Sequence, residues 1–150
     1  MFRRLVFSVL FLIGINGIYS QDISKKPQIN VDFVQFKGDS ARTKLEIYQS
    51  IRRDNLVYKK HGNKVIANFK LQTKIILADS VLADGAIVET DTLNNLNELT
   101  SGQQFVYSLP FLIKSGQYEI ISILTDLNST FESKSNNVVD IYCYMAIWWI

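Results

Sequence analysis

The sequence predicts an all-β domain, an antiparallel β-sandwich of about seven or eight short strands, and three observations carry that prediction. Apolar and polar residues alternate with a period of two through several runs. Clusters of Gly, Asn, Asp and Ser separate the runs at regular spacing. Past the opening segment, no stretch carries a 3.6-residue apolar stripe of helical length. Strands at this spacing, joined in Greek-key order, make an immunoglobulin-like sandwich.

The chain opens on Met1-Phe2-Arg3-Arg4, a short basic segment, followed by an apolar run from Leu5 to Ile15 broken only by Ser8 and Gly14. Asn16 to Ser20 then turns polar and ends on a small residue. That order predicts a secretory signal peptide over 1–20, because the run is short for a bilayer span of ~20 residues. The alternative is an uncleaved anchor. Cleavage after Ser20 has Ile18 at −3, a large residue for that place, and no cysteine near the site indicates a lipoprotein anchor. Export to the periplasm, the outer envelope or the medium is the expectation. Residues 21–28 read as a linker.

The sandwich is expected over 29–141. Ile29, Val31 and Phe33 alternate first, then the Lys37-Gly38-Asp39-Ser40 turn leads to Leu45, Ile47, Gln49 and Ile51. Leu56–Tyr58 reads as a short strand, and His61-Gly62-Asn63 as a turn. The longest alternation places Val65, Ala67, Phe69, Leu71, Thr73, Ile75 and Leu77 on one face, with Ile66, Asn68, Lys70, Gln72 and Lys74 on the other. Turns are expected at Ala83-Asp84-Gly85 and at Asn94-Asn95. Phe105, Tyr107 and Leu109 form another strand, with Pro110 at its end, where a missing N–H does least harm. After Ser115-Gly116, one face carries Tyr118, Ile120, Ser122 and Leu124 while Ile121 and Ile123 take the other, the pattern of a central strand. The turn at Asp126-Leu127-Asn128-Ser129 leads to a last strand containing Val138, Val139 and Ile141.

Tyr118 has a structural explanation in that frame. A tyrosine at the start of a late sandwich strand packs inward and hydrogen-bonds backbone a few residues upstream. Leu112, Gly116 and Tyr118 have the order of such a corner: an apolar anchor, a conformationally free glycine, then the ring. A catalytic Tyr118 would need a general base, and none lies close in sequence.

The region from 30 to 132 resembles the N-terminal part of the GWxTD-domain proteins of bacteria. The residues that carry the likeness are "VDFVQF", "LEIYQSIRRDNLVY", "VIANFKLQTKI" and "SGQYEIISILTDLNS", in that order. The resemblance implies an exported β-sandwich ahead of a second domain. The Gly-Trp-x-Thr-Asp motif itself is absent: both tryptophans, Trp148 and Trp149, sit at the C-terminus. Nothing belonging to that second domain carries over, and the resemblance implies fold and compartment, not an activity.

Charge excludes some functions. The chain has 16 basic and 14 acidic residues, and Arg3 and Arg4 leave with the signal peptide, so the mature segment carries 14 of each. A neutral domain lacks the overall field that drives nucleic-acid binding, so no nucleic-acid partner is expected. The distribution is uneven. Residues 42–74 hold nine basic residues against Glu46 and Asp54, whereas 75–132 hold eight acids against Lys114. Either the two halves pair across strands, or the first block docks an anionic partner, with Arg52, Arg53, Lys59 and Lys60 as its candidate patch.

Candidate chemistry is sparse. His61 and Cys143 are single, so neither an intramolecular disulfide nor a zinc site of the usual N/S kind is expected. Asp79 and Asp84 lack the spacing of a calcium loop. Asp32, Glu46 and Glu119 are scattered singly, with no pairing for glycoside hydrolysis. Asn128-Ser129-Thr130 is a glycosylation sequon, relevant only to a eukaryotic secretory route. No cofactor is expected. The functional expectation is an exported, non-enzymatic interaction or scaffold module with a protein or glycan partner in the envelope. The alternative is a carbohydrate-binding or carbohydrate-active domain that exposes Tyr48, Tyr58 and Tyr107 in a row.

The tail, 142–150, has only apolar, aromatic or sulfur-bearing side chains and is too short to span a bilayer. Three readings fit: a closing strand, a membrane-interface contact through its aromatics, or an end created by a frameshift or premature stop. The missing second domain makes the third the most economical.

Overall fold

A computed structural model describes residues 26–39 and 41–142 of the chain. The predicted signal peptide, most of the linker and the tail beyond Tyr142 lie outside these residues. The fold is the predicted antiparallel sandwich. Its strands are β1 (Ile29–Lys37), β2 (Thr43–Arg52), β3 (Lys59–His61), β4 (Lys64–Leu77), β5 (Ser80–Leu93), β6 (Gln104–Ile113), β7 (Gly116–Asp126) and β8 (Glu132–Ile141). One sheet has the order β1-β2-β6. The other runs β5-β4-β7-β8, and β3 pairs with the first residues of β4. Since β5 follows the whole of one edge of β4, β3 shares the other edge with β7.

The alternation read from the sequence matches the burial except at Leu77, which was expected inward but is exposed beyond the register shift at Ile75 and Ile76. Leu45, Ile47 and Ile51 on β2, Phe69, Leu71 and Ile75 on β4, and Ile120 and Leu124 on β7 are all buried. Each such side chain stabilises the fold by about 1.5–3 kcal/mol relative to an exposed position. The core falls into two clusters. One gathers around Ile51, Leu56, Phe69, Leu71 and Leu124; the other around Leu45, Ile47, Ile75, Tyr118 and Ile120. Between them lies a polar layer. Thr73 and Ser122 face each other across β4 and β7, and Gln49 Nε2 reaches from the opposite sheet to Thr73 Oγ1 at 2.6 Å and Ser122 Oγ at 2.8 Å.

Side chains also close one seam between the sheets. Gln35 on β1 donates from Nε2 to the Asp140 carbonyl at 2.7 Å and accepts from the Tyr142 N–H at 3.1 Å. Its amide thus takes the place of a strand along the edge of β8, the kind of covering that an unpaired strand edge requires.

Three local expectations change. Leu56–Tyr58 is not a strand; a 3-10 turn at Arg53–Asn55 precedes it, and the strand is β3, beginning at Lys59. The reason is a side-chain plug. Asp126 Oδ2 accepts the Val57 N–H at 2.7 Å, and Asn128 Nδ2 donates to the carbonyls of Val57 at 2.9 Å and Ile66 at 2.6 Å. These bonds satisfy the backbone of 57 without a neighbouring strand. The Asn128 amide is engaged by them, so the sequon nitrogen is already occupied.

The second change concerns Ala83-Asp84-Gly85, which is strand, not turn. The chain reverses earlier, at Ala78 and Asp79, both at positive φ (46° and 64°). Two positive values mark the hairpin turn normally built from Asn-Gly, so Ala-Asp sent no recognisable signal. Near the former expectation there is a bulge: Ile75 pairs with Ala83 and Ile76 with Val81, leaving Leu82 extra. Third, Pro110 lies within β6, opposite Glu46, and not at its end. It is tolerated because, among the described residues, β6 has β2 as its one strand neighbour.

Candidate functional site

At one end of the sandwich, the β3–β4 hairpin stands opposite the loop that follows β5. Gly62, at φ 63°, supplies the first central position of a two-residue turn, a conformation suited to glycine. The turn brings Lys60 opposite Val65 and His61 opposite Lys64. Across from it, a short 3-10 turn at Leu96–Glu98 is started by Asn95, whose side chain accepts the Asn97 N–H at 2.9 Å. Between the two lies a cleft of about 800 Å³ lined by Lys60, Lys64, Asn63, Asn94, Asn95 and Asn97. Half-buried Val65 and Leu96 line its walls, and buried Tyr58 lies at its base.

The electrostatics beneath the cleft are neutralised internally. Arg53 grips Asp91 with two bonds, Nε to Oδ2 at 2.6 Å and Nη2 to Oδ1 at 2.8 Å. The Tyr58 hydroxyl donates to the same Asp91 oxygen. Burial works to raise the Asp91 pKa, but the bonds from Arg53 and Tyr58 outweigh it and hold the carboxyl below its ordinary value. Tyr58 is pushed up, by burial first and by Asp91 second. Tyr107 is raised to about 12, again by burial first and then by the charges of Glu89 and Asp91. These groups stay in one protonation state near neutrality, and Arg53, Tyr58 and Asp91 are spent on holding the segment after β2 to β5.

The predicted basic patch is divided by this arrangement. Arg53 is consumed by Asp91, and Arg52 forms its own pair with Asp54, Nε to Oδ1 at 3.0 Å and Nη2 to Oδ2 at 2.7 Å. Arg42, Lys44 and Lys74 also meet acids, Asp39, Glu46 and Asp84. The pairs Arg53–Asp91 and Lys74–Asp84 join the basic and acidic segments, the second because Lys74 and Asp84 are partners across β4 and β5, the first because the turn after β2 packs against β5. Lys59 and Lys60 are different: they are exposed, and no described carboxylate lies within ion-pair distance of them or of Lys64. The cationic end is therefore Lys59, Lys60 and Lys64. Lys64 and the asparagines were missed in the sequence; the Gly-Asn turn between Lys60 and Lys64 was the available signal.

The tyrosine corner is present with one correction. Tyr118 is 2% exposed and its hydroxyl donates to the Lys114 carbonyl at 3.0 Å. Gly116 supports the ring, since a Cβ there would lie 3.4 Å from Tyr118 Cε2. Leu112 is not the anchor. It is 50% exposed on the outer face, and its neighbours Phe111 and Ile113 pack against the core. The inward parity of β6 belongs to the odd-numbered residues, which the corner pattern alone does not reveal.

The aromatic row does not form. Tyr58 is buried against Asp91, and Tyr107 faces inward with its ring edge-on to Phe69 at 6.4 Å. Tyr48 lies on the outer side of the three-stranded sheet and donates to Glu46 at 2.5 Å. Three tyrosines in three environments offer no shared stacking surface. Among the described residues, no group of three or more His, Cys, Asp or Glu side chains converges as a metal site, and no helix is long and apolar enough to cross a membrane.

No protein-family model matches the chain, and no curated protein does. Among solved structures, the sandwich is similar to part of a glycosyl hydrolase family 2 member from Bacteroides cellulosilyticus DSM 14838. That match has a TM-score of 0.52 at 8% identity and covers 77% of this chain but 15% of the other. A protein from Archaeoglobus fulgidus matches at a TM-score of 0.35 and 6% identity, over 78% of this chain and 98% of that one. At these identities the likeness to the glycosyl hydrolase speaks for the β-sandwich fold alone.

Proposed function

We propose that the chain is an exported, non-catalytic β-sandwich module of the bacterial envelope that docks an anionic partner at the β3–β4 end. The observation that supports this most is the contrast among basic residues. Five of those between 42 and 74 meet an acid within 4.0 Å, while Lys59, Lys60 and Lys64 face solvent on one hairpin. Unneutralised surface charge raises encounter rates with an opposite charge and orients the encounter. The buried polar groups support the non-catalytic part. Gln49, Asp91 and Asp126 are bonded to strands and turns of the fold itself. The signal-like order of residues 1–20 supports the compartment.

The test is position-dependent crosslinking. A photoreactive side chain replaces Asn63 at the cleft, or Val138, which is 68% exposed on β8. In the envelope, the Asn63 position is expected to give adducts that disappear when Lys60→Glu and Lys64→Glu are added. Equal adducts at both positions, or adducts indifferent to the charge reversal, would remove this end as the docking site.

A further inference from the structure

We infer that the cleft between the β3–β4 hairpin and the 94–97 loop binds an acidic oligosaccharide, a chain of sugars bearing carboxylates. This rests on the proposal that this end is the docking site. The donor inventory gives the ligand class. Lys60 and Lys64 line the cleft from opposite faces of the hairpin, and each carries an ammonium with three donors and no acceptor, matched by anionic oxygens. Asn63, Asn94 and Asn97 offer amides that both donate and accept, as a hydroxyl does, and Asn95, whose Oδ1 already accepts the Asn97 N–H, offers its NH2. A ligand that alternates carboxylates with hydroxyls uses both kinds of group.

Size and shape point the same way. A cleft of about 800 Å³ lies in the range of organic ligand sites and is far larger than a lone oxyanion requires. Val65 and Leu96, half-buried on its walls, offer apolar surface to the C–H face of a sugar ring. The aromatic residue in the lining, Tyr58, is 7% exposed and its hydroxyl is held by Asp91. Recognition by ring stacking, the mode that suits neutral glycans and unpaired nucleobases, therefore has no platform here. Charge and amide hydrogen bonds carry the binding instead.

The experiment titrates the mature chain with an oligogalacturonate, with a neutral maltooligosaccharide of the same length, and with inorganic phosphate, following backbone amide resonances. Oligogalacturonate is expected to shift residues 60–65 and 94–97, and added salt is expected to weaken it by screening. Lys60→Glu with Lys64→Glu is expected to lower the affinity about tenfold or more, whereas Lys134→Glu on β8 leaves it unchanged. Absence of binding, equal binding of the neutral sugar, or competition by phosphate at equal concentration would overturn the assignment. If oligogalacturonate fails while crosslinks at position 63 persist, the glycan is wrong and the docking site stands. Loss of both removes both.

Discussion

Gln49 on β2 donates across the sandwich to Ser122 on β7 at 2.8 Å, in a polar layer between two apolar clusters. The same nitrogen serves Thr73, and Gln49 Oε1 is the buried side-chain atom without a partner among the described residues. A lone buried acceptor costs roughly 1–3 kcal/mol. Removing the amide alone, as Gln49→Leu, is expected to destabilise by about that amount, because two hydroxyls lose their partner. The triple change Gln49→Leu, Thr73→Val, Ser122→Ala is expected to recover most of the loss, since an apolar layer needs no partners. Urea unfolding of the two variants decides the matter. A triple variant no more stable than the single one would mean that the layer does more than fill space.

The Arg53–Asp91 pair ties the turn after β2 to β5, with side chains 20% and 10% exposed. Arg53→Gln leaves a mostly buried carboxylate without its cation and is expected to cost about 2–4 kcal/mol near neutrality. The pH dependence follows from the depressed Asp91 value. A carboxyl whose folded pKa lies below its unfolded one adds stability above the unfolded value, about pH 4, and loses it as pH falls through the folded value. The gap between wild type and Arg53→Gln is therefore expected to narrow in acid. Unfolding curves at about pH 7 and about pH 3 check this; a gap that widens in acid contradicts it.

Tyr118→Phe removes the bond to the Lys114 carbonyl and keeps the ring. The expected loss is about 0.5–2 kcal/mol, with binding at the opposite end unchanged. Denaturant titration and the glycan titration on one sample separate the effects. Unchanged stability with lost binding would move Tyr118 out of the scaffold.

Ile141, 3% exposed, belongs to the core, and Tyr142 bonds through its backbone N–H to Gln35 and through its carbonyl to Thr43. A chain ended after Tyr142 keeps all of these contacts. Its melting temperature is expected to stay within about 4 °C of the mature chain, equivalent to about 1 kcal/mol for a domain of this size. A larger fall would make 143–150 a structural part of the sandwich.

Export has a direct readout. Mass spectrometry of the protein made in a bacterial host is expected to give a chain beginning at Gln21. An intact Met1 in a soluble cytoplasmic fraction would end that proposal.

The parts legible in sequence are those that depend on near neighbours along the chain. The alternation in β2, β4 and β7 was readable because successive side chains of a strand point to opposite faces, so burial prints itself with a period of two. The corner at Tyr118 was readable because the hydroxyl and its acceptor are four residues apart. The turn at Ala78 and Asp79 was not, since the φ values it requires are imposed by the long β4–β5 pairing on residues that do not prefer them.

The candidate site was half legible for the same reason. Four basic residues were visible as a group, but Arg53 and Asp91 are 38 positions apart, and composition holds no record of which charges will meet. The strand periods, the all-β class and the inward set to which Gln49, Thr73 and Ser122 belong follow from the local order of residues. Strand pairing and sheet packing decided that those three share one layer, that Arg53 meets Asp91, and that Lys60 and Lys64 line one cleft with Asn94, Asn95 and Asn97. Periodicity is a local property of the backbone, whereas layer, ion pair and cleft are set by which strands lie opposite one another, through contacts between residues distant in the chain.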